Sequence, residues 1–348
     1  MSVAATGDAP GTADTGPDAV LRVENLTCTI DTPVGTARIL RGIDLELAPG
    51  ESLGLVGESG SGKTMLVKCL MGLAPAAATV SGRAVLGGRD LLSLPPGDRR
   101  RVLGKDIAMV FQDPMSSLNP VVRIGRQLTE GMRFHLKISK AEAYARAEEL
   151  LAVAGIPDPK ARLRMYPHEL SGGMRQRVMI AIALSCDPAV LIADEATTAL
   201  DVTVQKQILD LLQELQRERG MSLILVSHDL GVVAGRTDRV AVMYAGGVVE
   251  VAATRDLFRR SRHRYSRALL GAIPVMGGLG RRLTTIPGRM PSATSPQPGC
   301  GFAPRCGSAV DRCRAEPPPP VLEADGHEYR CVVPAPLGAT GATTGGSS

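Results

Sequence analysis

The sequence has no tryptophan and few other aromatic residues, four phenylalanines and five tyrosines in 348 residues. None of them precedes Phe111, so the N-terminal third of the chain cannot itself place an aromatic ring against a ligand. No apolar run approaches the roughly 18 residues that cross a bilayer, and the N-terminus lacks the basic start and apolar core of a secretory signal. These absences predict a cytoplasmic protein whose residues 1–20 form a disordered leader.

A strong charge imbalance is also absent. The formal charge of +5 is spread along the chain, so we expect solvated basic faces and no nucleic-acid partner. Hydrophobic residues make up 44% of the sequence, which is enough to fill the core of one large domain or of two.

Short apolar runs dominate the first 230 residues. The segment "ILRGIDLELAPG" alternates apolar and polar residues and predicts a half-buried strand that ends in a turn. Four further runs end in polar or glycine residues: "ESLGLV", "DIAMVF", "AVLIAD" and "SLILVS". Helical patterns separate them, so they predict an α/β fold with a mostly parallel sheet whose strand ends carry the chemistry.

Changes in composition suggest the domain boundaries. Residues 115–186 contain helix-forming segments and predict an inserted helical subdomain, and residues 202–219 predict an amphipathic helix that stops at Gly220. Beyond about residue 252 the chain becomes rich in Arg, Pro, Gly and Cys. We therefore expect one domain over 21–252, a C-terminal extension over 253–333 and a disordered tail over 334–348.

The segment "GESGSGKT" follows an apolar strand and opens an apolar helix, the context that a phosphate-binding loop requires. Its glycines let backbone N–H groups surround phosphates, its lysine reaches the β and γ oxygens, and its threonine can ligate Mg²⁺. A glycine-rich turn with a surface lysine is the much weaker alternative. The predicted nucleotide-binding residues are Gly57, Glu58, Ser59, Gly60, Ser61, Gly62, Lys63 and Thr64.

In the segment "VLIADEATTALD", the apolar run "VLIA" is followed by two carboxylates, Asp194 and Glu195. Asp194 is suited to hold Mg²⁺, directly or through water, and Glu195 is suited to orient or deprotonate the attacking water. Acidic pairs at strand ends are commonly only solvated, but a phosphate loop in the same chain favours the catalytic interpretation.

With these two motifs in place, the segment "LSGGMRQR" resembles the signature of the ATP-binding cassette family. The resemblance implies a P-loop NTPase fold with a RecA-like parallel core, an antiparallel β subdomain and an inserted helical subdomain. It also implies that Ser171, Gly172 and Gly173 face the γ-phosphate bound by an opposite cassette. By the same resemblance Gln112 contacts Mg²⁺ and the water, Asp201 crosses the dimer interface and His228 contacts the γ-phosphate.

Longer segments resemble the oligopeptide, dipeptide and nickel importers of this family, over about residues 21–333. They are "FQDPMSSLNP", "YPHELSGGMRQR", "HRYSRALLGAIP" and "IPGRMPSATSPQPGCGFAPRC". The resemblance implies an ATPase that couples hydrolysis of ATP to import, at the cytoplasmic face of the membrane. Its implied partners are a second cassette, two transmembrane permease subunits and an extracytoplasmic solute-binding protein. A soluble cassette acting on ribosomes or DNA and a regulatory metal-binding module are the alternatives.

Two positions depart from the family pattern. Many cassettes stack adenine on an aromatic residue before the phosphate loop, and this chain lacks such a residue. We therefore expect ATP to bind mainly through contacts to its phosphates and to Mg²⁺. Ala196 stands where the family usually has proline, which changes the local backbone but removes no chemical group, so we still expect hydrolysis.

Seven cysteines in a reducing compartment are not expected to form disulfides. Cys28, Cys69 and Cys186 lie singly in apolar segments and predict buried thiols. The other four lie in proline-rich sequence that can bury little apolar surface, so a cross-link would stabilise it. Paired knuckles typical of zinc ribbons are missing. We predict a structural 4Fe-4S cluster, with Zn²⁺, free thiols or disulfides as alternatives, at Cys300, Cys306, Cys313 and Cys331.

Overall fold

The computed structural model describes residues 19–196, 201–273 and 285–337. Of the predicted leader only residues 19–20 are described, and of the predicted tail only 334–337. The strands are β1 (Leu21–Thr32), β2 (Gly35–Leu47), β3 (Ser52–Val56), β4 (Ala78–Leu86), β5 (Arg89–Asp90), β6 (Ile107–Val110), β7 (Val190–Asp194), β8 (Ser222–Ser227), β9 (Arg239–Tyr244), β10 (Gly247–Ala253), β11 (Val321–Leu322) and β12 (Glu328–Tyr329).

The α-helices lie between and after these strands. They are α1 (Lys63–Leu70), α2 (Pro96–Val102), α3 (Pro114–Ser117), α4 (Ile124–His135), α5 (Lys140–Val153), α6 (Pro159–Arg162), α7 (Gly172–Ala183), α8 (Val202–Arg219), α9 (Leu230–Val233), α10 (Thr254–Arg260), α11 (Arg264–Gly271) and α12 (Asp311–Ala315). Across the described residues, none of them combines the length and the apolarity needed to span a bilayer.

The larger sheet has the order β11-β12-β10-β9-β3-β8-β7-β6. The four runs predicted as parallel strands are its members β3, β8, β7 and β6, which pair in parallel. Their residues are buried along the whole length of each strand. The prediction of a buried parallel sheet is therefore confirmed, and its carboxyl ends meet at one edge.

A second, antiparallel sheet has the order β2-β1-β4-β5. The predicted half-buried strand is confirmed as the second part of β2, where buried and exposed residues alternate from Ile43 to Leu47. Apolar side chains of this sheet share a core with α1 and with one face of the larger sheet, including Leu40, Leu66 and Ile224. The phosphate-loop segment thus lies between two sheets.

Helices α3 to α7 lie between β6 and β7 in the chain, and α4, α5 and α7 pack on one another. Helix α5 begins with a capping box in which Ser139 and Glu142 exchange hydrogen bonds. Helix α8 matches the predicted range, is capped by Asp201 and ends at Gly220, whose φ of 61° is left-handed. Its buried residues belong to the same core as β7 and β8.

The C-terminal residues return to the larger sheet. Strand β12 pairs antiparallel with β10 and with β11, so residues beyond the expected boundary extend the sheet edge. The buried carboxylate of Glu250, on β10, accepts hydrogen bonds from the backbone N–H groups of Arg262 (2.5 Å) and His263 (3.0 Å) and pairs with His327 Nε2 (2.7 Å). Ala335 is buried, and its N–H donates to the carbonyl of Arg262.

Candidate functional site

The phosphate-loop segment 57–64 joins β3 to α1. All three of its glycines have left-handed φ angles, 154° at Gly57, 82° at Gly60 and 106° at Gly62. A Cβ at Gly57 would lie 2.2 Å from the carbonyl oxygen of Met243, so no other residue fits there. These angles turn the backbone through a tight loop before α1 begins at Lys63.

Lys63 is 4% exposed, and its ammonium group donates to the carbonyls of Gly57 (2.7 Å) and Glu58 (3.1 Å). Burial lowers the pKa of Lys63, while the carboxylates of Glu195, Asp194 and Glu58 act in the opposite direction. Because these carbonyls are weak partners for a buried cation, the lysine is suited to exchange them for phosphate oxygens.

Asp194, at the end of β7, is 3% exposed, and its Oδ1 lies 3.4 Å from the hydroxyl of Thr64. Burial raises the pKa of this carboxyl group, and the neighbouring Glu195 raises it further. A hydroxyl beside a desolvated carboxylate is an oxygen donor set that fits Mg²⁺.

Glu195 brings the other predicted catalytic residues together. Its carboxylate accepts a hydrogen bond from Gln112 Nε2 (2.8 Å) and lies 3.2 Å from His228 Nδ1. These three residues follow β7, β6 and β8 respectively, which explains why residues far apart in the chain meet at one sheet edge. The backbone of Glu195 has a φ of 45°, an unfavourable angle for a residue with a side chain and one that recurs at functional sites.

The signature segment lies at the start of α7. Ser171 is the N-cap, its hydroxyl accepts from Met174 N–H (3.3 Å), and both Ser171 and Gly172 are exposed. A Cβ at Gly173 would come within 3.1 Å of Val204. Asp201 is also exposed and caps α8 by accepting from Thr203 and Val204. These groups are therefore open to a partner and are not part of the cluster around Glu195.

The four C-terminal cysteines line one small cavity together with His263 and Phe302. Burial raises the pKa of Cys300 to about 11 and also raises that of Cys331. Over the three described ranges, however, no three His, Cys, Asp or Glu side chains are placed to hold a metal ion. The predicted cluster or zinc site is therefore not supported by this geometry, although the donors surround one space. Cys28, Cys69 and Cys186 are buried, as predicted.

Two residues beside the phosphate loop lie in segments that resemble the importers but are not among the predicted site residues. The N–H of Glu58 donates to the hydroxyl of Tyr265 (2.9 Å), and the carboxylate of Glu58 pairs with the guanidinium of Arg305 (2.7 and 3.0 Å). Both partners lie more than 200 residues further along the chain, at separations of 207 and 247. Their contacts with the phosphate loop would not be found without the fold.

Comparison with known proteins agrees with this site. Residues 40–198 match the ABC transporter family, and residues 249–313 match the oligopeptide/dipeptide transporter C-terminal region. The dipeptide transport ATP-binding protein DppD of Bacillus subtilis is 46% identical over 90% of this chain and 94% of its own. The oligopeptide transport ATP-binding protein OppD of Escherichia coli is 47% identical over 91% of this chain and 94% of its own.

Solved structures of ATP-binding cassettes are also similar to this chain. The dimeric ATP-binding cassette MJ0796, in a post-hydrolysis state with ADP and phosphate, superposes with a TM-score of 0.61 at 27% identity, covering 68% of this chain and 99% of its own. The protein cbiO1 of Clostridium perfringens gives 0.58 at 30% identity, over 70% of this chain and 91% of its own. The predicted P-loop NTPase cassette fold is confirmed, and the chain belongs to the ABC transporter family of ATPases, in the group that carries the oligopeptide/dipeptide C-terminal region.

Proposed function

We propose that this ATPase energises the uptake of dipeptides or oligopeptides from the cytoplasmic face of the cell membrane. The observation that carries the proposal is the match of residues 249–313 to the oligopeptide/dipeptide transporter C-terminal region. Relatives named for dipeptide and oligopeptide transport, 46% and 47% identical over most of the chain, support it. Import of nickel or another small solute by the same machinery is the alternative.

The nucleotide would bind between two cassettes. Residues 57–62 would surround the phosphates, Lys63 would exchange its loop carbonyls for the β and γ oxygens, and Thr64, Asp194 and Gln112 would hold Mg²⁺. When bound, the metal ion would neutralise part of the phosphate charge. The exposed groups at Ser171, Gly172, Gly173 and Asp201 would meet the nucleotide and the interface of the opposite cassette in a head-to-tail dimer.

In this proposal Glu195 activates the attacking water. Its carboxylate is held between Gln112 and His228, so one carboxylate oxygen is oriented by each neighbour. Glu195 would accept the proton of the attacking water, and His228 would contact the γ-phosphate. Release of the products would open the dimer and move the transporter.

The substitution Glu195→Gln tests this assignment, because it keeps the size of the side chain and removes the base. We expect ATP hydrolysis by the assembled transporter to fall at least about 100-fold, with ATP binding retained. The matched control is Glu214→Gln on the exposed surface of α8, which should hydrolyse ATP at the wild-type rate. Wild-type hydrolysis by the Glu195 variant would show that another group is the base.

The partners are tested by co-purification from membranes. The proposal requires a second cassette, identical or related, two polytopic permease subunits and an extracytoplasmic solute-binding protein that delivers the peptide. Recovery of ribosomes or DNA instead of membrane subunits would favour a soluble cassette ATPase. Dependence of peptide uptake on this chain, with unchanged uptake of nickel, separates the two importer alternatives.

For the four cysteines we keep the 4Fe-4S cluster as the proposal, with Zn²⁺ as the alternative. Four thiols around one cavity are the usual donor set of such a cluster, and a cluster needs a wider spacing than one zinc ion does. Anaerobically purified protein is expected to be brown and to contain about four irons per chain. Colourless protein without iron but with one zinc per chain would support the alternative.

A further inference from the structure

Arg305 lies in the C-terminal extension, and its side chain is only 5% exposed. All five of its N–H groups have an acceptor. The two terminal nitrogens donate to the two carboxylate oxygens of Glu58 (2.7 and 3.0 Å) and also to Tyr244 Oη and the carbonyl of Ile286 (both 3.2 Å). Nε donates to the carbonyl of Pro287 (2.8 Å). A fully paired, bidentate guanidinium is a rigid contact.

Its partner Glu58 is the second residue of the phosphate-loop segment and is held at every polar group. Its N–H donates to Tyr265, and its carbonyl accepts from Lys63 (3.1 Å) and from Ser61 N–H (3.1 Å). Two of these contacts are internal to the loop. The other two come from Tyr265 and Arg305, so residues beyond position 253 fix the start of the loop.

The charge of Glu58 gives this contact an electrostatic consequence. Glu58 acts on Lys63 as a nearby anion, which places its carboxylate within electrostatic reach of the group that meets the phosphates. An unpaired carboxylate there would repel a nucleotide that carries several negative charges. Bidentate pairing with Arg305 both neutralises the carboxylate and fixes its direction.

Arg305 also packs against a cluster of aromatic rings. Its guanidinium lies 5.8 Å from the ring centre of Tyr244 and 6.0 Å from that of Phe302. The ring centres of Tyr244 and Tyr265 are 4.5 Å apart, and Phe302 is 5.4 Å from each. This cluster of three aromatic residues supports both contacts to Glu58 at once.

We propose that Arg305 is a positioning residue of the ATP site: it neutralises and directs the carboxylate of Glu58, so that the C-terminal extension forms part of the phosphate loop's binding surface. The proposal rests on ATP binding by residues 57–64. Its rival is a purely structural role, in which the ion pair only anchors the extension to the cassette.

A double-substitution cycle separates the two roles. The affinity for ATP is measured by calorimetry on the full-length protein, without requiring hydrolysis, for wild type, Arg305→Ala, Glu58→Gln and the double variant. Arg305→Ala leaves the partly buried carboxylate of Glu58, 27% exposed, without its cationic partner beside the phosphates, so we expect its affinity for ATP to fall at least about tenfold. The double variant removes the repelling charge and should recover most of that loss.

Two further measurements sharpen the test. The loss in Arg305→Ala should be larger for ATP than for ADP, because the repulsion grows with the charge of the nucleotide. The matched control is Arg312→Ala, since Arg312 forms an exposed ion pair with Glu316 in the same extension and should leave the affinity unchanged. Urea unfolding of each variant identifies any general loss of the fold.

The outcomes are distinct. If the double variant binds ATP as weakly as Arg305→Ala, or if ATP and ADP lose affinity equally, Arg305 is only an anchor and the proposal fails. If Arg305→Ala binds ATP like the wild type, it also fails. If the wild type itself binds no ATP, the function assigned to the loop fails, which is a separate result.

Discussion

Aromatic residues separate two regions of this molecule. The first 110 residues contain the phosphate loop and no aromatic residue, whereas Tyr244, Tyr265 and Phe302 form a cluster that contacts the loop through Glu58 and Arg305. In this chain aromatic rings therefore support the loop's backbone and its ion pair. We therefore expect nucleotide affinity to depend on phosphate contacts more than on stacking of the base.

The two regions also differ in how well their buried charges are satisfied. Near the phosphate loop, burial lowers the pKa of Lys63 and raises that of Asp194, so both charged forms are poorly solvated without a ligand. Where the extension meets β10, the buried carboxylate of Glu250 has three N–H partners on two segments of the extension. The first arrangement favours binding of ions, and the second favours stability of the fold.

The largest expected effect comes from Lys63→Ala. ATP hydrolysis should fall by about 10²–10³-fold or more, because the ammonium group that would meet the developing phosphate charge is lost. The free energy of unfolding of the nucleotide-free protein should not fall, since the variant no longer buries a poorly solvated cation. Hydrolysis assays and urea unfolding measure the two quantities.

Lys160→Ala, at an exposed position on α6, is the control and should match the wild type in both measurements. A large loss of stability in Lys63→Ala would contradict the contrast between the regions, because the lysine would then be a structural residue.

The motifs and the parallel sheet could be predicted because their signals are local. Glycines precede Lys63 and two carboxylates stand at the end of β7, each after an apolar run of strand length. The sheet edge and its donors therefore follow from adjacent residues. The meeting of Gln112, Glu195 and His228 follows from the same rule, because each comes after a parallel strand.

The extension could not be predicted in the same way. Arg305 and Tyr265 reach Glu58 across 247 and 207 residues, and although both lie in segments that resemble the importers, nothing in those segments indicates a contact with the phosphate loop. The cysteine spacing predicted a metal site, but the described residues surround a cavity without converging on a point. Contacts between residues so far apart in the chain depend on the complete fold, which local sequence patterns do not encode.

A smaller effect, on stability, is expected for Glu250→Ala. The substitution leaves the N–H groups of Arg262 and His263 and the Nε2 atom of His327 buried without an acceptor, which costs about 1–3 kcal/mol for each group. Since partial relaxation restores some partners, we expect the free energy of unfolding of the extension to fall by about 3–5 kcal/mol. Hydrogen exchange at residues 328–329 measures it.

Glu328→Ala is the control for this prediction, because Glu328 lies on the neighbouring strand with a side chain that is 39% exposed. Its change should stay within about 0.5 kcal/mol. If Glu250→Ala were equally mild, the buried carboxylate would not be what holds the extension on β10.

The smallest expected effect concerns the base of the nucleotide. With no aromatic residue before Phe111, stacking is expected to contribute little, and an aromatic contact is worth only about 0.5–1.5 kcal/mol in any case. The dissociation constants for GTP and ATP should therefore differ by less than about tenfold. Removing phosphates should matter far more, so AMP should bind much more weakly than ADP. A 100-fold preference for ATP over GTP would mean that other residues recognise the base. The first candidates would be those near Met290, whose side chain lies beside Gly60, because the rings of the aromatic cluster already pack against Arg305.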